Sequence, residues 1–301
     1  NRGFRLFLVL AALFVSILLL LKYTNINLLY LLYKNESILT NFTLAFSNVQ
    51  THYKMEKPRK DPCNGKQIEL AVFVNTRREL FHRRMGIRNS WAKDASKNMI
   101  IRFVIGDPVL EEEEGNKFDI LLDEEQKQFG DLIRYYNISE GYHMLQYKVG
   151  AAFQWQQKWC PNAEYVMKTD DDTIIDLPRW AFWNENKFKK ELKETGTGLA
   201  FFGYLVDETP TIRYKDNKWY DLLSYMYLSK EEYPSEILPK YMHNTFFANS
   251  KTIKLVMNHT REFYGIHIED TLYAGIIAKK ANISLFDLSE VHIREEYVCL
   301  F

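Results

Sequence analysis

An α/β fold is predicted by three observations. Ile68 to Val74 is a nearly continuous apolar run, the pattern of a strand buried on both faces. Arg78 to Trp91 has helical composition, and Met99 to Ile105 then repeats the buried-strand pattern. Strand, helix, strand is the unit of a right-handed crossover between parallel strands. The 301 residues and 47% hydrophobic content supply a core for one large domain or two small ones and exclude a disordered chain. Lysine plus arginine and aspartate plus glutamate number 39 each, so no global field draws the chain to nucleic acid.

The remaining elements follow in order. Gly106-Asp107-Pro108 stops the second strand, and Glu111 to Glu114 reads as a solvated acidic loop. Glu140 to Trp159 reads as one long helix, with Met144, Leu145, Val149, Ala152, Phe153 and Trp159 at roughly helical spacing and Pro161 beyond its end. Tyr165-Val166-Met167 make a third strand, which runs directly into Lys168-Thr169-Asp170-Asp171-Asp172. The three acids therefore fall at the C-terminal end of a strand, where ligands collect in open α/β sheets.

The first residues stand apart. Residues 1–5 read as a short tail and residues 6–21 as an uncharged apolar run closed by Lys22. Sixteen helical residues span about 24 Å, enough for a thinner bilayer. A cleaved signal peptide is the alternative, but no small-x-small pattern follows Leu21, so an uncleaved anchor is favoured. Arg2 and Arg5 ahead of the run predict a cytoplasmic N-terminus and a lumenal remainder. Five Asn-x-Ser/Thr sequons agree with that placement: Asn35, Asn41, Asn137, Asn258 and Asn282. Residues 22–62 mix polar residues, two of these sequons and a basic stretch, and read as a stem before a domain covering 63–301. Cys63, Cys160 and Cys299 permit at most one internal disulfide, and no Cys/His spacing resembles a zinc site.

Three adjacent aspartates repel one another unless solvent screens them or a cation neutralises them. Hard carboxylate oxygens suit magnesium or manganese, which bind through one or two carboxylates plus substrate phosphates. An exposed turn or a helix cap is the plainer alternative.

Several separated motifs carry a resemblance across most of residues 65 to 292. They are Arg84-Met85-Gly86-Ile87-Arg88-Asn89-Ser90-Trp91, Phe103-Val104-Ile105-Gly106 and Asp131-Leu132-Ile133. Tyr142, Leu145, Lys148, Trp155 and Cys160 follow, then Lys168 with Asp170 to Asp172, Tyr233-Pro234, Pro239-Lys240-Tyr241 and Glu269-Asp270 ahead of Gly275. In order and spacing the chain resembles the β1,3-galactosyltransferases and β1,3-N-acetylglucosaminyltransferases, with fringe more distantly similar.

The resemblance implies a GT-A-type, Rossmann-like mixed sheet flanked by helices, preceded by the transmembrane helix and stem, in a single-pass type II protein of the Golgi membrane. It implies an inverting hexosyltransferase that forms a β1,3 linkage from UDP-galactose or UDP-N-acetylglucosamine to a glycan acceptor on protein or lipid. A non-catalytic carbohydrate-binding or chaperone-like protein of the same fold is the alternative. Asp172 is then the direct contact for Mn2+ or another divalent cation, with Asp170 and Asp171 on ribose, metal water or sugar hydroxyls. Asp270 is the candidate general base, or otherwise a first-turn acid of the helix that follows. His292 is a candidate metal ligand or a satisfied histidine. Arg84 and Arg88 reach the diphosphate or form structural ion pairs. Thr76 and Arg77 contact uridine or cap the loop after the first strand. Three departures stand out. His243-Asn244-Thr245-Phe246-Phe247 replaces a Ser-Gly-x-Gly-Tyr turn, and its bulk is expected to reshape a wall of the sugar pocket. The Glu269-Asp270 motif is one residue longer before its glycine. Ser139 and Glu140 stand where relatives carry an aspartate.

Overall fold

The computed structural model describes residues 38–63, 65–108, 115–213 and 227–289. The apolar run 6–21, Asn35, the acidic run 111–114, His292 and Cys299 lie outside the described residues. Contacts divide the chain between Thr40 and Asn41, and the unit from Asn41 onward carries β2 and every later element.

Among the described residues, nine strands form one mixed sheet. In chain order they are β1 (Leu39–Ala45), β2 (Gln50–Glu56), β3 (Ile68–Asn75), β4 (Met99–Asp107), β5 (Leu132–Ser139), β6 (Ala163–Asp170), β7 (Ala200–Val206), β10 (Tyr241–Asn249) and β11 (Ser284–Asp287). A separate pair, β8 (Thr209–Pro210) and β9 (Ile237–Leu238), makes a small ribbon. The large sheet runs β1-β2-β5-β4-β3-β6-β10-β7-β11. Its centre is parallel, with β3 between β4 and β6, while β10 runs antiparallel to both β6 and β7. Successive side chains of β3 alternate between two cores: Leu70, Val72 and Val74 on one face, Ala71 and Phe73 on the other. That double burial is why the strand reads as an unbroken apolar run.

Helices cover both faces. The helices are α1 (Phe81–Asn89), α2 (Gly115–Phe129), α3 (Leu145–Trp159), α4 (Leu177–Trp183), α5 (Lys189–Glu194), α6 (Ser250–His259), α7 (Glu269–Thr271) and α8 (Ala278–Lys280). Ile87 of α1, Leu122 of α2 and Trp180 of α4 enter one core, and Phe153 of α3 and Ile253 of α6 enter the other. Asn249 caps α6 by accepting from the Thr252 amide at 2.9 Å.

Two expectations shift. The helix predicted from Glu140 begins at Leu145, after a 3-10 turn over Tyr142–Met144. Glu140 is instead tied to the end of β4: its carboxylate accepts from the Gly106 amide at 2.8 Å and from Lys148 Nζ at 2.6 Å. Those bonds give the residue in the aspartate's place a physical role, that of holding the β5–α3 connection against β4. Within the segment 22–62 read as a stem, Leu39–Ala45 and Gln50–Glu56 are strands of the sheet. β2 pairs with β5 through Lys54 opposite Tyr136 and Met55 opposite Tyr135, and Leu44, Phe46, Tyr53 and Met55 are buried. Sparse apolar residues on a strand near the sheet's edge look like linker in sequence because only one face meets the core. In keeping with at most one internal disulfide, Cys63 and Cys160 are joined, which fastens the segment before β3 to the end of α3.

Candidate active site

The site is built where the central strands end. β3 and β6 run in parallel register with Asn75 opposite Asp170, so both stop at one level. Asp170 closes β6, and Asp171 and Asp172 form the turn that follows. Asp170 accepts from Asn75 Nδ2 and from Lys168 Nζ, each at 3.1 Å. Asp171 accepts from Thr76 Oγ1 at 2.6 Å and from an Arg83 guanidinium nitrogen at 2.8 Å. Asp172 is the loosest of the three, 55% exposed and 3.8 Å from Arg83. Burial, then repulsion from Asp170 and Asp171, holds its carboxyl above the ordinary range despite Arg83.

A second acidic group arrives from α7. Lys168 is buried and its ammonium joins the two groups, lying 2.9 Å from Glu269 as well as 3.1 Å from Asp170. Burial alone would lower the Lys168 pKa, but Asp170, Glu269 and Asp270 outweigh it and keep the amine charged. Lys168 also donates to the Asn244 carbonyl at 2.9 Å. Asp270, beside Glu269, accepts from the Thr271 amide at 2.6 Å, and its other oxygen lies 3.0 Å from His243 Nδ1.

The extra residue in the Glu-Asp motif has a place to go. After α7 the chain makes a π-helical turn over Leu272–Ile277 before α8, and such a turn absorbs one residue without moving the helix ends. Gly275 lies in it, pressed on the start of β10: an added Cβ would stand 2.7 Å from Tyr241 Cβ. The longer motif therefore still docks Asp270 against His243.

The altered turn behaves differently from its expected role. β10 carries a bulge between His243 and Phe246, and Asn244 takes φ 54°, the left-handed conformation natural to a glycine. Phe246 and Phe247 are buried in the two cores, and Thr245 Oγ1 shares a hydrogen bond with Thr169 Oγ1 at 2.8 Å. Phe246 and Phe247 of the altered turn are thus core packing, while the half-exposed His243 side chain and the Asn244 amide both bond Asp270.

The other sequence candidates separate. Arg84 and Arg88 take the ion-pair alternative. Arg84 is buried, donates to both oxygens of Glu125 at 2.8 and 2.7 Å, and bonds the carbonyls of Arg77 and Arg78. Arg88 bonds Glu125 and both oxygens of Asp131. Arg83, one residue earlier on α1, is the arginine that reaches the aspartates. Thr76 is buried against Asp171, and Arg77 is exposed and paired with Glu79. Sequence reasoning missed Arg83 and His243 as site residues and took Lys168 only as part of a motif. Arg83 is one residue off the arginine pair chosen by spacing, and His243 was visible only as a departure. The sequon residues Asn41, Asn137, Asn258 and Asn282 are all exposed.

The described residues contain no group of three or more His, Cys, Asp and Glu side chains poised around a metal. The donor chemistry nevertheless fits a hard divalent cation. Asp172 offers accessible carboxylate oxygens beside two further carboxylates, and such a cation completes its shell with water and phosphate oxygens.

Comparison with known proteins agrees with the motif order. A family model described as Galactosyltransferase matches residues 82–289. The rat lactosylceramide 1,3-N-acetyl-beta-D-glucosaminyltransferase is 23% identical over 84% of this chain and 65% of its own. Beta-1,3-galactosyltransferase 5 of Pan paniscus is 28% identical over 75% of this chain and 69% of its own, and the mouse beta-1,3-galactosyltransferase 1 is 26% identical over 83% and 73%. The chain spans about 65% of the length of the first of these. Among solved structures, the WbbM bifunctional glycosyltransferase superposes at a TM-score of 0.30 with 12% identity, covering 73% of this chain and 38% of that one. With its match covering more than two thirds of the sequence, the chain belongs to the galactosyltransferase family.

Proposed function

We propose that the protein is an inverting hexosyltransferase that moves galactose or N-acetylglucosamine from a UDP-sugar to a glycan hydroxyl, forming a β1,3 linkage. The observation that carries this reading is the convergence of two carboxylate groups on buried Lys168: Asp170 from the end of β6 and Glu269, adjoining Asp270, from α7. On this reading a donor-binding edge and a proton-accepting group would share one sheet terminus. The names of the relatives, all β1,3-glycosyltransferases, favour the same chemistry.

Asp172, with Asp170 and Asp171 behind it, would hold a divalent cation such as Mn2+, and His292 is the further candidate ligand. When bound, the cation neutralises charge on the departing diphosphate. Arg83 offers a guanidinium to the same phosphates, and Thr76 and Arg77 sit where uridine would lie, just past β3. Arg84 and Arg88 hold the helix that presents Arg83. The acceptor oxygen attacks the anomeric carbon opposite UDP and gives up its proton to the Asp270–His243 pair. The anomeric C–O bond to phosphate breaks, its electron pair leaving with UDP.

We place the domain in the secretory-pathway lumen, as a type II Golgi membrane protein anchored by residues 6–21. The Cys63–Cys160 disulfide and the exposure of four sequon asparagines support an oxidising, glycosylating compartment. The test is to incubate the full chain with Mn2+, a panel of UDP-sugars and a glycan array, and to measure released UDP. Transfer from UDP-galactose or UDP-N-acetylglucosamine is expected, and failure to bind, hydrolyse or transfer from any donor would sink the reading. A carbohydrate-binding protein of the same fold would retain glycan affinity and release no UDP.

A further inference from the structure

We infer that Tyr204 is a stacking platform for the acceptor, taking on its ring the apolar face of the pyranose that carries the attacking hydroxyl. The inference rests on the glycosyl-transfer reading above and adds an acceptor subsite to it.

The strand order leaves room for a second substrate. Thr76 follows β3 and the aspartates close β6, and the next strands outward are β10 and β7. β10 runs antiparallel to both β6 and β7, so β7 is parallel to β6 and ends at the same edge. Phe246 stands opposite both Lys168 and Gly203, which sets Tyr204 level with Thr169, one residue short of Asp170. In an inverting displacement the acceptor enters on the face of the donor sugar opposite the leaving group. On the reading above the diphosphate lies at the end of β6 and Asp270 beside β10, so the body of the acceptor lies over β10 and β7.

Tyr204 stands at that place with its ring open. Its partner directly across the strands is His243, and such partners project to one face with their Cβ atoms about 5 Å apart. His243 Nδ1 lies 3.0 Å from Asp270, so one side chain separates Tyr204 from the carboxylate. Two residues earlier on β7, Phe202 stacks between Phe247 and Phe286, with ring centroids 5.0 and 5.1 Å away. Tyr204 continues that row past the rim of the core, where it is 42% exposed. Its strand is held on both sides, by β10 and β11. Among the described residues the other exposed large apolar side chains sit on helices, turns or the small ribbon, so Tyr204 is the one that the rigid sheet presents. A pyranose has a face of C–H groups that gains by leaving water for a flat ring, while the phenol hydroxyl stays wet at the rim.

Two variants of the full chain test this, using UDP with Mn2+ for donor-site binding and a glycan that the wild-type chain glycosylates for turnover. Tyr204→Ala is expected to raise the acceptor KM about 10-fold, with kcat within about threefold and UDP affinity within about twofold of wild type. Its melting temperature is expected to stay at the wild-type value, since the lost ring is exposed. Tyr204→Phe keeps the ring and is expected to hold the acceptor KM within about twofold. An unchanged acceptor KM in Tyr204→Ala overturns the inference. An equal rise in Tyr204→Phe overturns it too, because the contact then belongs to the hydroxyl, and so does a matching fall in UDP affinity, which assigns Tyr204 to the donor side. A wild-type chain that transfers no sugar is a different failure, since it removes the transferase reading itself. Glycan-array affinity then decides the platform separately: weaker binding by Tyr204→Ala than by wild type keeps it, and equal or absent binding removes it.

Discussion

Two charged networks lie near the ends of the central strands, and they are balanced in opposite ways. In the first, Arg84 and Arg88 meet Glu125 and Asp131, two cations against two carboxylates, with Arg84 and Glu125 almost wholly buried. In the second, Lys168 and Arg83 face Asp170, Asp171, Asp172, Glu269 and Asp270, a formal surplus of three negative charges. A balanced buried network fastens helices, while an unbalanced one at an accessible edge keeps a negative charge that a bound cation would offset. The lesson is that arginine and carboxylate content alone does not mark a site; the residual charge and the exposure of its last member do.

The largest expected effect breaks the balanced network. Arg84→Ala should cost about 3–5 kcal/mol of stability by stranding buried Glu125, read by denaturant unfolding. The double variant Arg84→Met with Glu125→Leu should recover most of that loss, and if UDP affinity is retained in it, the network is structural. The unbalanced network should answer oppositely. Asp172→Asn should lower Mn2+-dependent UDP affinity by about 100-fold without loss of fold. Because the Asp172 carboxyl is raised when folded, its ionised form opposes folding above the ordinary carboxylate range, and that opposition disappears as pH falls. In chelator at neutral pH the variant should therefore melt no lower than wild type. A drop in melting temperature would count Asp172 among the structural charges.

Smaller effects probe how the two acidic groups are brought together. Gly275→Ala should destabilise by about 1–3 kcal/mol through its clash with Tyr241, and should depress turnover more than UDP affinity because α7 shifts. Arg83→Ala, half-exposed, should change stability by less than about 1 kcal/mol while weakening UDP binding. Equal UDP affinity would separate Arg83 from the donor.

Much of the architecture was legible in one dimension. The strands β3, β4 and β6 announced themselves because a strand buried on both faces must be apolar throughout, and Pro161 bounded α3. β2 was hidden, since it buries only alternate residues, Tyr53 and Met55, and reads as polar linker. β10 was hidden by its bulge, which interrupts strand periodicity at Asn244.

By itself the sequence determined the parallel strand unit, the aspartate triplet at the end of β6 and the order of family motifs, because these depend on local composition and short spacing. The tertiary structure decided which charges meet. Arg84 and Arg88 turned to Glu125 and Asp131, 37 to 43 positions away, while Lys168 tied Asp170 to Glu269 across β6 and α7. His243 found Asp270, 27 positions away, only because a bulge and a π-helical turn set both at one edge. Such pairings rest on strand register and helix phase, which a single sequence does not encode locally.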